Sequence, residues 1–336
     1  MATDVLSRAQ ALSFLAKIGM KDAEKLLREE PRKFLSDLMK AYQAHLPFQC
    51  LSLLAQPLEE RHVPTQEEIV EAGMSMEGGL CFTLNTFMYL LLRALGFKVD
   101  VLDGSFSLSC HPHTHMVVLL RDLSAPGDNY IVDIGGGFPF FEIISVKDLP
   151  VTRYEAGLEY RYQHLNGSVV RLHRMTREVS ERGQIEVDGD WTQIFHFDLN
   201  PVDANFSRPY MKMIYVEEGD SDFLRSIRAV RYPPEAALIE EGLLPAPGGE
   251  ESGSSAGDRR QEKEGVEGSL KGKPTMLGFR DQTLIVGPMD AASKTKVEED
   301  VWAARIKECF PTIPSAKVDV AVQKVMELER QKNNPV

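Results

Sequence analysis

The sequence predicts an α+β protein: a helical N-terminal part, then an antiparallel β-barrel or strongly curved sheet across residues 97–200, then a mixed α/β remainder. Two observations carry this expectation. The spacing of apolar residues changes from near 3.6 to near 2 at Phe97. The strand-like runs that follow are short and separated by Gly, Pro and Asn turns, the pattern of an antiparallel barrel rather than of alternating βα units. A third feature divides the C-terminal part: residues 245–273 contain no aromatic residue, are rich in Gly, Ser and charge, and read as a disordered insertion.

The helices come first. Thr3 or Asp4 can cap a helix over residues 4–18, with Val5, Ala9, Leu12 and Phe14 at helical spacing, and K-D-A-E-K-L-L suggests a second. Pro31 suits the first helical position ahead of apolar residues 34, 35, 38, 39 and 42. Thr65 opens a short helix. The run from Glu77 to Phe97 predicts a buried helix starting near Cys81 and closing on Gly96. Beyond it, F-K-V-D-V-L-D-G-S-F-S-L reads as a strand pair, and Met116–Leu120 with Tyr130–Ile134 as a hairpin around the loop from Ser124 to Asn129. Strand-like runs continue in F-F-E-I-I-S-V, in the polar R-L-H-R-M-T-R-E-V and in W-T-Q-I-F-H-F-D-L. Toward the C-terminus, D-F-L-R-S-I-R-A-V-R and P-P-E-A-A-L-I-E-E read as helices. P-T-M-L-G-F-R-D-Q-T-L-I-V-G reads as a hairpin, and K-V-E-E-D-V-W-A-A-R-I-K-E-C-F as a helix stopped by Pro311.

The chemistry concentrates at Cys81. A thiol at a helix N-terminus meets unpaired N–H groups and the positive end of the helix dipole, which favour a thiolate and can hold an oxyanion. Gly78 and Gly79 let the backbone come close to a substrate, and Asn85 shares the cysteine's helix face. Folded about its loop, the hairpin brings His115 opposite Asp133, near enough for the carboxylate to orient the imidazole. Nucleophile, base and orienter are then Cys81, His115 and Asp133. Asp122 and Asp128 compete for the histidine, but both belong to the loop, where solvated turn residues are the default. Gly135 and Gly137 leave room for a ligand against the backbone, and with Thr114 they are the candidate cofactor contacts. Phe82, Phe106 and Phe138 are candidates for the substrate pocket. Gln49 and Glu77 stand in a supporting role.

Rival readings are open at this level. Cys110, His111, His113 and His115 offer soft ligands for zinc or copper, although Pro112 disturbs the strand and no second ligand cluster completes a site; no metal is expected. A net charge of −12 argues against nucleic acid as a partner. Cysteines at 50, 81, 110 and 309 show no paired spacing, so a reducing, cytoplasmic setting suits a catalytic thiol. No signal-peptide pattern opens the sequence, and the apolar run within residues 80–92 is too short to span a bilayer.

The segment G-G-L-C-F-x-x-N, the histidine opening a strand and Y-I-V-D-I-G-G-G resemble the arylamine N-acetyltransferase family. H-L-P-F-Q-C at His45–Cys50 resembles that family's H-x-P-F-E-N, and R-P-Y at Arg208–Tyr210 fits as well. The resemblance implies a helical domain over 1–96 carrying the cysteine and a β-barrel domain over 97–215 carrying His and Asp. It also implies an α/β lid over 216–336, with the triad in a papain-like arrangement. It implies acyl transfer from acetyl-CoA, or another acyl-CoA, to an arylamine or arylhydrazine, by a monomer with no metal. A thiol hydrolase and an inert binding protein are the alternatives. Four positions depart from the family: Glu77 replaces an arginine, Gln49 a glutamate, Cys50 an asparagine, and Thr83 a glutamine or glutamate. The first two together suggest that a Gln49–Glu77 hydrogen bond replaces an ion pair.

Overall fold

The computed structural model describes residues 5–107, 109, 111–174, 185–187, 190–217, 221–244 and 272–333. Residues 245–271 of the expected insertion, Cys110 and the Met175–Val179 end of the polar run lie outside the described residues. The first helix, α1 (Arg8–Lys17), starts later than expected. Its cap is Ser7, whose side chain accepts from the Gln10 amide while Gln10 reaches back to the Ser7 amide. The expected caps Thr3 and Asp4 lie outside the described residues. Next come α2 (Ala23–Glu29) and α3 (Pro31–His45), which has proline in its first turn and buries Phe34, Leu35, Leu38, Met39 and Tyr42, the anticipated face. A two-residue strand β1 (Phe48–Gln49), the one-turn α4 (Leu51–Leu54) and α5 (Gln66–Met74), capped by a Thr65–Glu68 capping box, lead to α6 (Cys81–Ala94).

Helix α6 is the centre of the molecule. It is buried on nearly all sides, from Cys81 through Met88 and again at Leu90–Leu92, as its continuous apolar run requires. Each fully buried Phe or Leu there contributes roughly 2 kcal/mol of burial. Gly73 of α5 makes room for it, because a Cβ at that position would lie 2.4 Å from the Phe87 ring.

The barrel-like sheet follows, built from β2 (Lys98–Phe106), β3 (His115–Arg121), β4 (Tyr130–Val132), β5 (Ile144–Ser145), β6 (Val151–Glu155), β7 (Leu158–Leu165), β8 (Ser168–Arg174), β9 (Ile185–Val187) and β10 (Trp191–Val202). Its order is β5-β4-β3-β2-β10-β8-β7-β6, with β9 also on β10, and every pairing is antiparallel. The two ends of this path, β5 and β6, are close in sequence, so the sheet nearly closes. The run from Phe97 expected as two strands is the single strand β2. Its Gly104 does not break it, because the ladder with β3 continues to Gly104↔His115.

A second sheet joins β1 to β11 (Arg228–Arg231), β12 (Met276–Arg280), β13 (Thr283–Gly287) and β14 (Ser293–Lys296). The short helices Lys212–Tyr215 and Glu235–Glu240 precede it in part, and Trp302–Cys309 and Ser315–Asn333 complete the chain. The expected helix D-F-L-R-S-I-R-A-V-R is instead one 3₁₀ turn at Asp222–Leu224 followed by β11. Pairing on both sides, to β1 and β12, overrides its helical spacing. The strand Phe48–Gln49, which also bridges Gly79 ahead of Cys81, thus forms an edge of the C-terminal sheet.

Candidate active site

Cys81 is the first residue of α6, and no side chain caps that helix, so its first-turn N–H groups stay available. The thiol is 5% exposed and points its Sγ toward the Thr114 carbonyl at 3.7 Å. His115 opens β3 and Asp133 follows β4; both are completely buried. The ladder registers Val118 with Val132, so Asp133 stands two residues out of step with His115 rather than directly opposite, as expected from the loop midpoint. The ring crosses this diagonal. Its Nε2 lies 3.2 Å from each Asp133 carboxylate oxygen. With Nε2–H donated to the carboxylate, the other nitrogen, Nδ1, is left without a partner at normal hydrogen-bond geometry among the described residues, and Cys81 interacts with the same ring.

Asn85 locks this geometry. Its Nδ2 donates to the Met116 carbonyl at 2.7 Å and to Asp133 Oδ1 at 3.0 Å, while its Oδ1 accepts from the amides of Ile134 at 3.2 Å and Gly135 at 3.0 Å. Two donated and two accepted bonds exhaust an amide side chain. One residue therefore ties the helix of Cys81, the strand of His115 and the loop of Asp133 together. Phe106 and Phe195 close around the imidazole with ring centroids at 4.8 and 4.6 Å.

Electrostatics favour a charged pair. Burial works against the His115 imidazolium, but the Asp133 carboxylate outweighs it and holds the histidine above its ordinary range, with Cys81 adding to the effect. Burial likewise opposes the Asp133 anion, and His115 together with Arg171 and Asn85 pulls it below the usual carboxylate range. Burial pushes Cys50 up to about 12 and Cys309 up to about 11. Iodoacetamide at neutral pH is therefore expected to modify Cys81 in preference to Cys50 and Cys309. Peptide mapping of the labelled protein checks this, and equal labelling of Cys50 would contradict it.

The supporting residues are arranged differently from expectation. Gln49 does not bond the Glu77 side chain. Its Nε2 donates to the Glu77 carbonyl at 3.3 Å and to Ser52 Oγ at 2.7 Å. The Glu77 carboxylate instead accepts from Lys317 Nζ at 2.6 Å, from the helix Ser315–Asn333. A carboxylate near the cysteine loop is tolerated because a cation from far along the chain meets it. The Lys317 side chain is 44% exposed, so the pair is a screened one. Lys317→Met is expected to cost under ~1 kcal/mol in thermal unfolding. The difference should vanish at about 1 M salt; a loss that persists there would mean packing rather than charge.

Gly78 and Gly79 close on the protein itself. At Gly78, with φ of 77°, a Cβ would lie 2.0 Å from the Pro47 carbonyl oxygen, and at Gly79 it would lie 2.8 Å from Thr83. The same holds for the candidate cofactor contacts. A Cβ at Gly135 would meet Asn85 and the Cys81 carbonyl at 2.8 Å, and one at Gly137 would meet the Phe48 ring at 3.2 Å. Thr114 is buried, and its hydroxyl accepts from the Phe106 amide. Phe82 packs into the core, Phe138 lies against the His173 ring, and Phe106 packs against the His115 ring. Thr83 pairs with the Tyr215 hydroxyl at 3.1 Å. Asp128, expected as a solvated turn residue, is buried and held by Tyr130, Lys147 and Arg32. His113 pairs with Asp103 and packs at a tilt against the Tyr210 ring. Among the described residues no group of His, Cys, Asp and Glu gathers in a metal-binding arrangement.

Sequence reasoning missed Lys317, Tyr215 and Arg171. The first two reach the site from more than 130 positions away, with no local signal. Arg171 sits in a run that reads as polar and hence half-exposed, yet it is completely buried.

An N-acetyltransferase family model matches residues 33–239, more than half of the chain, from within α3 through the barrel-like sheet. The chain belongs to the arylamine N-acetyltransferase family. It is 26% identical over 211 residues to the uncharacterized acetyltransferase YvcN of Bacillus subtilis, covering 60% of this chain and 75% of that one. It is 30% identical over 146 residues to human arylamine N-acetyltransferase 2, covering 41% of this chain and about half, 48%, of the human protein. The structure of the Mycobacterium marinum arylamine N-acetyltransferase in complex with CoA superposes with a TM-score of 0.64 over 94% of this chain and 99% of that one. Its 16% identity speaks for a shared fold. Among the described residues no helix is long and apolar enough to cross a membrane.

Proposed function

We propose that this family member transfers an acetyl group from acetyl-CoA to an arylamine or arylhydrazine through an acyl-cysteine at Cys81, in two half-reactions. The observation that carries this reading is the buried histidine whose Nε2 is held by both oxygens of Asp133 and whose charged form is further favoured by Cys81. Nδ1 takes the proton from Cys81, and the thiolate attacks the thioester carbonyl carbon. The carbonyl oxygen becomes an oxyanion facing the uncapped N–H groups of α6. The bond to the coenzyme A sulfur breaks, and the departing thiolate takes the proton back from His115. The amine then attacks the acyl-cysteine, gives its proton to His115, and the Sγ–carbon bond breaks to release the amide and regenerate the thiol. Exchange between thioesters is nearly balanced, and formation of the amide drives the second step.

Family membership, the name of the human relative and the CoA complex of a structural neighbour support the choice of donor and acceptor. We place the cysteine in a unit over 1–96, His and Asp in one over 97–215 and the lid over 216–336, the whole acting as a cytoplasmic monomer. The test is intact-protein mass spectrometry of wild type and Cys81→Ala mixed with acetyl-, propionyl- and malonyl-CoA, followed by an arylamine. One acyl adduct, absent in Cys81→Ala and discharged by the amine, is the expected result. An adduct that disappears equally fast without amine would favour a thiol hydrolase, and no adduct from any donor would overturn the acyltransferase reading.

A further inference from the structure

Arg171 on β8 is completely buried, and among the described residues none of its hydrogen bonds goes to a carboxylate. Nε donates to His173 Nε2 at 2.8 Å, one terminal nitrogen to the Tyr162 hydroxyl at 3.3 Å, and the other to the Pro139 carbonyl at 3.0 Å. A buried cation without a paired acid is costly unless its surroundings compensate it. Part of the compensation is aromatic: the guanidinium carbon lies 4.2 Å from the centre of the Tyr160 ring and 5.6 Å from those of Phe138 and Tyr162. The rest comes from where the residue stands. In the ladder Arg171 is registered with Tyr162 on β7 and Phe195 on β10, across an irregularity between Gln193 and Phe195. Phe195 is the ring that packs on His115, and the guanidinium lies 5.9 Å from its centre on the way to the triad. Pro139 belongs to the loop that follows Asp133, which Gln43 also grips at Phe138 and Phe140 and Tyr232 at Gly137.

We propose that Arg171 is a positioning residue for the triad: it fixes the loop behind Asp133 and supplies the positive charge that lets thiolate, imidazolium and carboxylate coexist in a buried site. With all three groups ionised the triad carries one excess negative charge, which Arg171 neutralises. The groups around the guanidinium are consistent with this. Asp133 is held low partly by its charge, and His173 is desolvated and kept neutral by it. Glu155 is pushed up by burial, and Tyr160, Tyr162 and Tyr232, also buried, keep their protons. The inference rests on the reading of Cys81, His115 and Asp133 as the reacting triad.

The test measures iodoacetamide alkylation of Cys81 against pH, which needs no acyl donor, in wild type, Arg171→Met and Arg171→Lys, alongside acylation by acetyl-CoA. Without the charge, forming a thiolate beside the imidazolium becomes harder. The acid limb of the alkylation profile should therefore move up by about one pH unit in Arg171→Met, a roughly tenfold slower reaction on that limb. Arg171→Lys should keep the wild-type limb while acylating more slowly, because it lacks the fork that holds Pro139 and Tyr162. Should Arg171→Met not fold, Arg171→Gln carries the same comparison with one donor retained. An unmoved limb in a folded neutral variant overturns the proposal. So does a result in which only the lysine variant folds, which would make Arg171 a structural cation alone. Wild-type Cys81 that alkylates readily yet accepts no acyl group would sink the transferase and leave this inference standing.

Discussion

Asp133→Asn is expected to slow acylation of Cys81 by about 10³–10⁴-fold while leaving the protein folded. The substitution conserves size in a fully buried site, so packing is nearly unchanged. What changes is the partner of Nε2. A carboxylate accepts Nε2–H through both oxygens and fixes the tautomer whose Nδ1 is basic. An amide can present its NH₂ instead, which would put the proton on Nδ1, where it cannot take one from the thiol. The charge lost also supported the imidazolium. Acylation and alkylation of Cys81 should therefore fall together; a variant that acylates within a few-fold of wild type would remove Asp133 from the mechanism.

The same pair sets a dependence of stability on pH. His115 has a folded-state value above its unfolded one, so its contribution is complete below about 6.5 and is lost as pH rises toward the folded value. Asp133 has a folded-state value below its unfolded one, so its contribution is complete above about 3.9 and is lost as pH falls through the folded value. The pair thus stabilises the fold most between these limits. On the alkaline side, thermal midpoints of wild type should fall more steeply from neutral pH upward than those of Asp133→Asn, in which His115 has lost its main support. Parallel slopes in the two proteins would mean that the histidine is not held charged.

Most of the candidate site was legible because its parts are local. The cysteine at the head of an apolar helix, the histidine opening a strand and the aspartate ending another are each signalled within a few residues, and α6 starts at the anticipated position. The hairpin's exact register was not legible, since moving the turn by one residue changes which side chains face each other and only the ladder fixes it. The partner of Glu77 was not legible either. Lys317 is 240 positions away, and nothing in E-G-G-L-C says which cation will cover it. Arg171 shows the limit of pattern reading most clearly. Period-2 alternation assigns V-R-L-H to one exposed and one buried face, yet Val170 and Leu172 form a small cluster with Trp191 while Arg171 and His173 are also completely buried. Both faces of β8 are covered from Val169 to His173, so Arg171 and His173 lie in the interior.

Asn85→Ala is expected to have the largest effect on stability of any single change at the site, about 3–5 kcal/mol in chemical denaturation. The loss of side-chain packing is small beside what is stranded. The amides of Ile134 and Gly135, the Met116 carbonyl and one oxygen of Asp133 all lose a partner in a region closed to solvent. Each unsatisfied group costs about 1–3 kcal/mol, and the total is less than their sum because the loop after Asp133 can relax. That relaxation is itself harmful, since it moves the carboxylate that orients His115. Asn85→Asp separates the two consequences. It keeps an acceptor for the two loop amides but sets a second carboxylate against Asp133, so one of them must take up a proton or move. The aspartate variant should retain more stability than the alanine variant and yet acylate as poorly. Equal stability of Asn85→Ala and wild type would mean that the helix, strand and loop are held by packing alone.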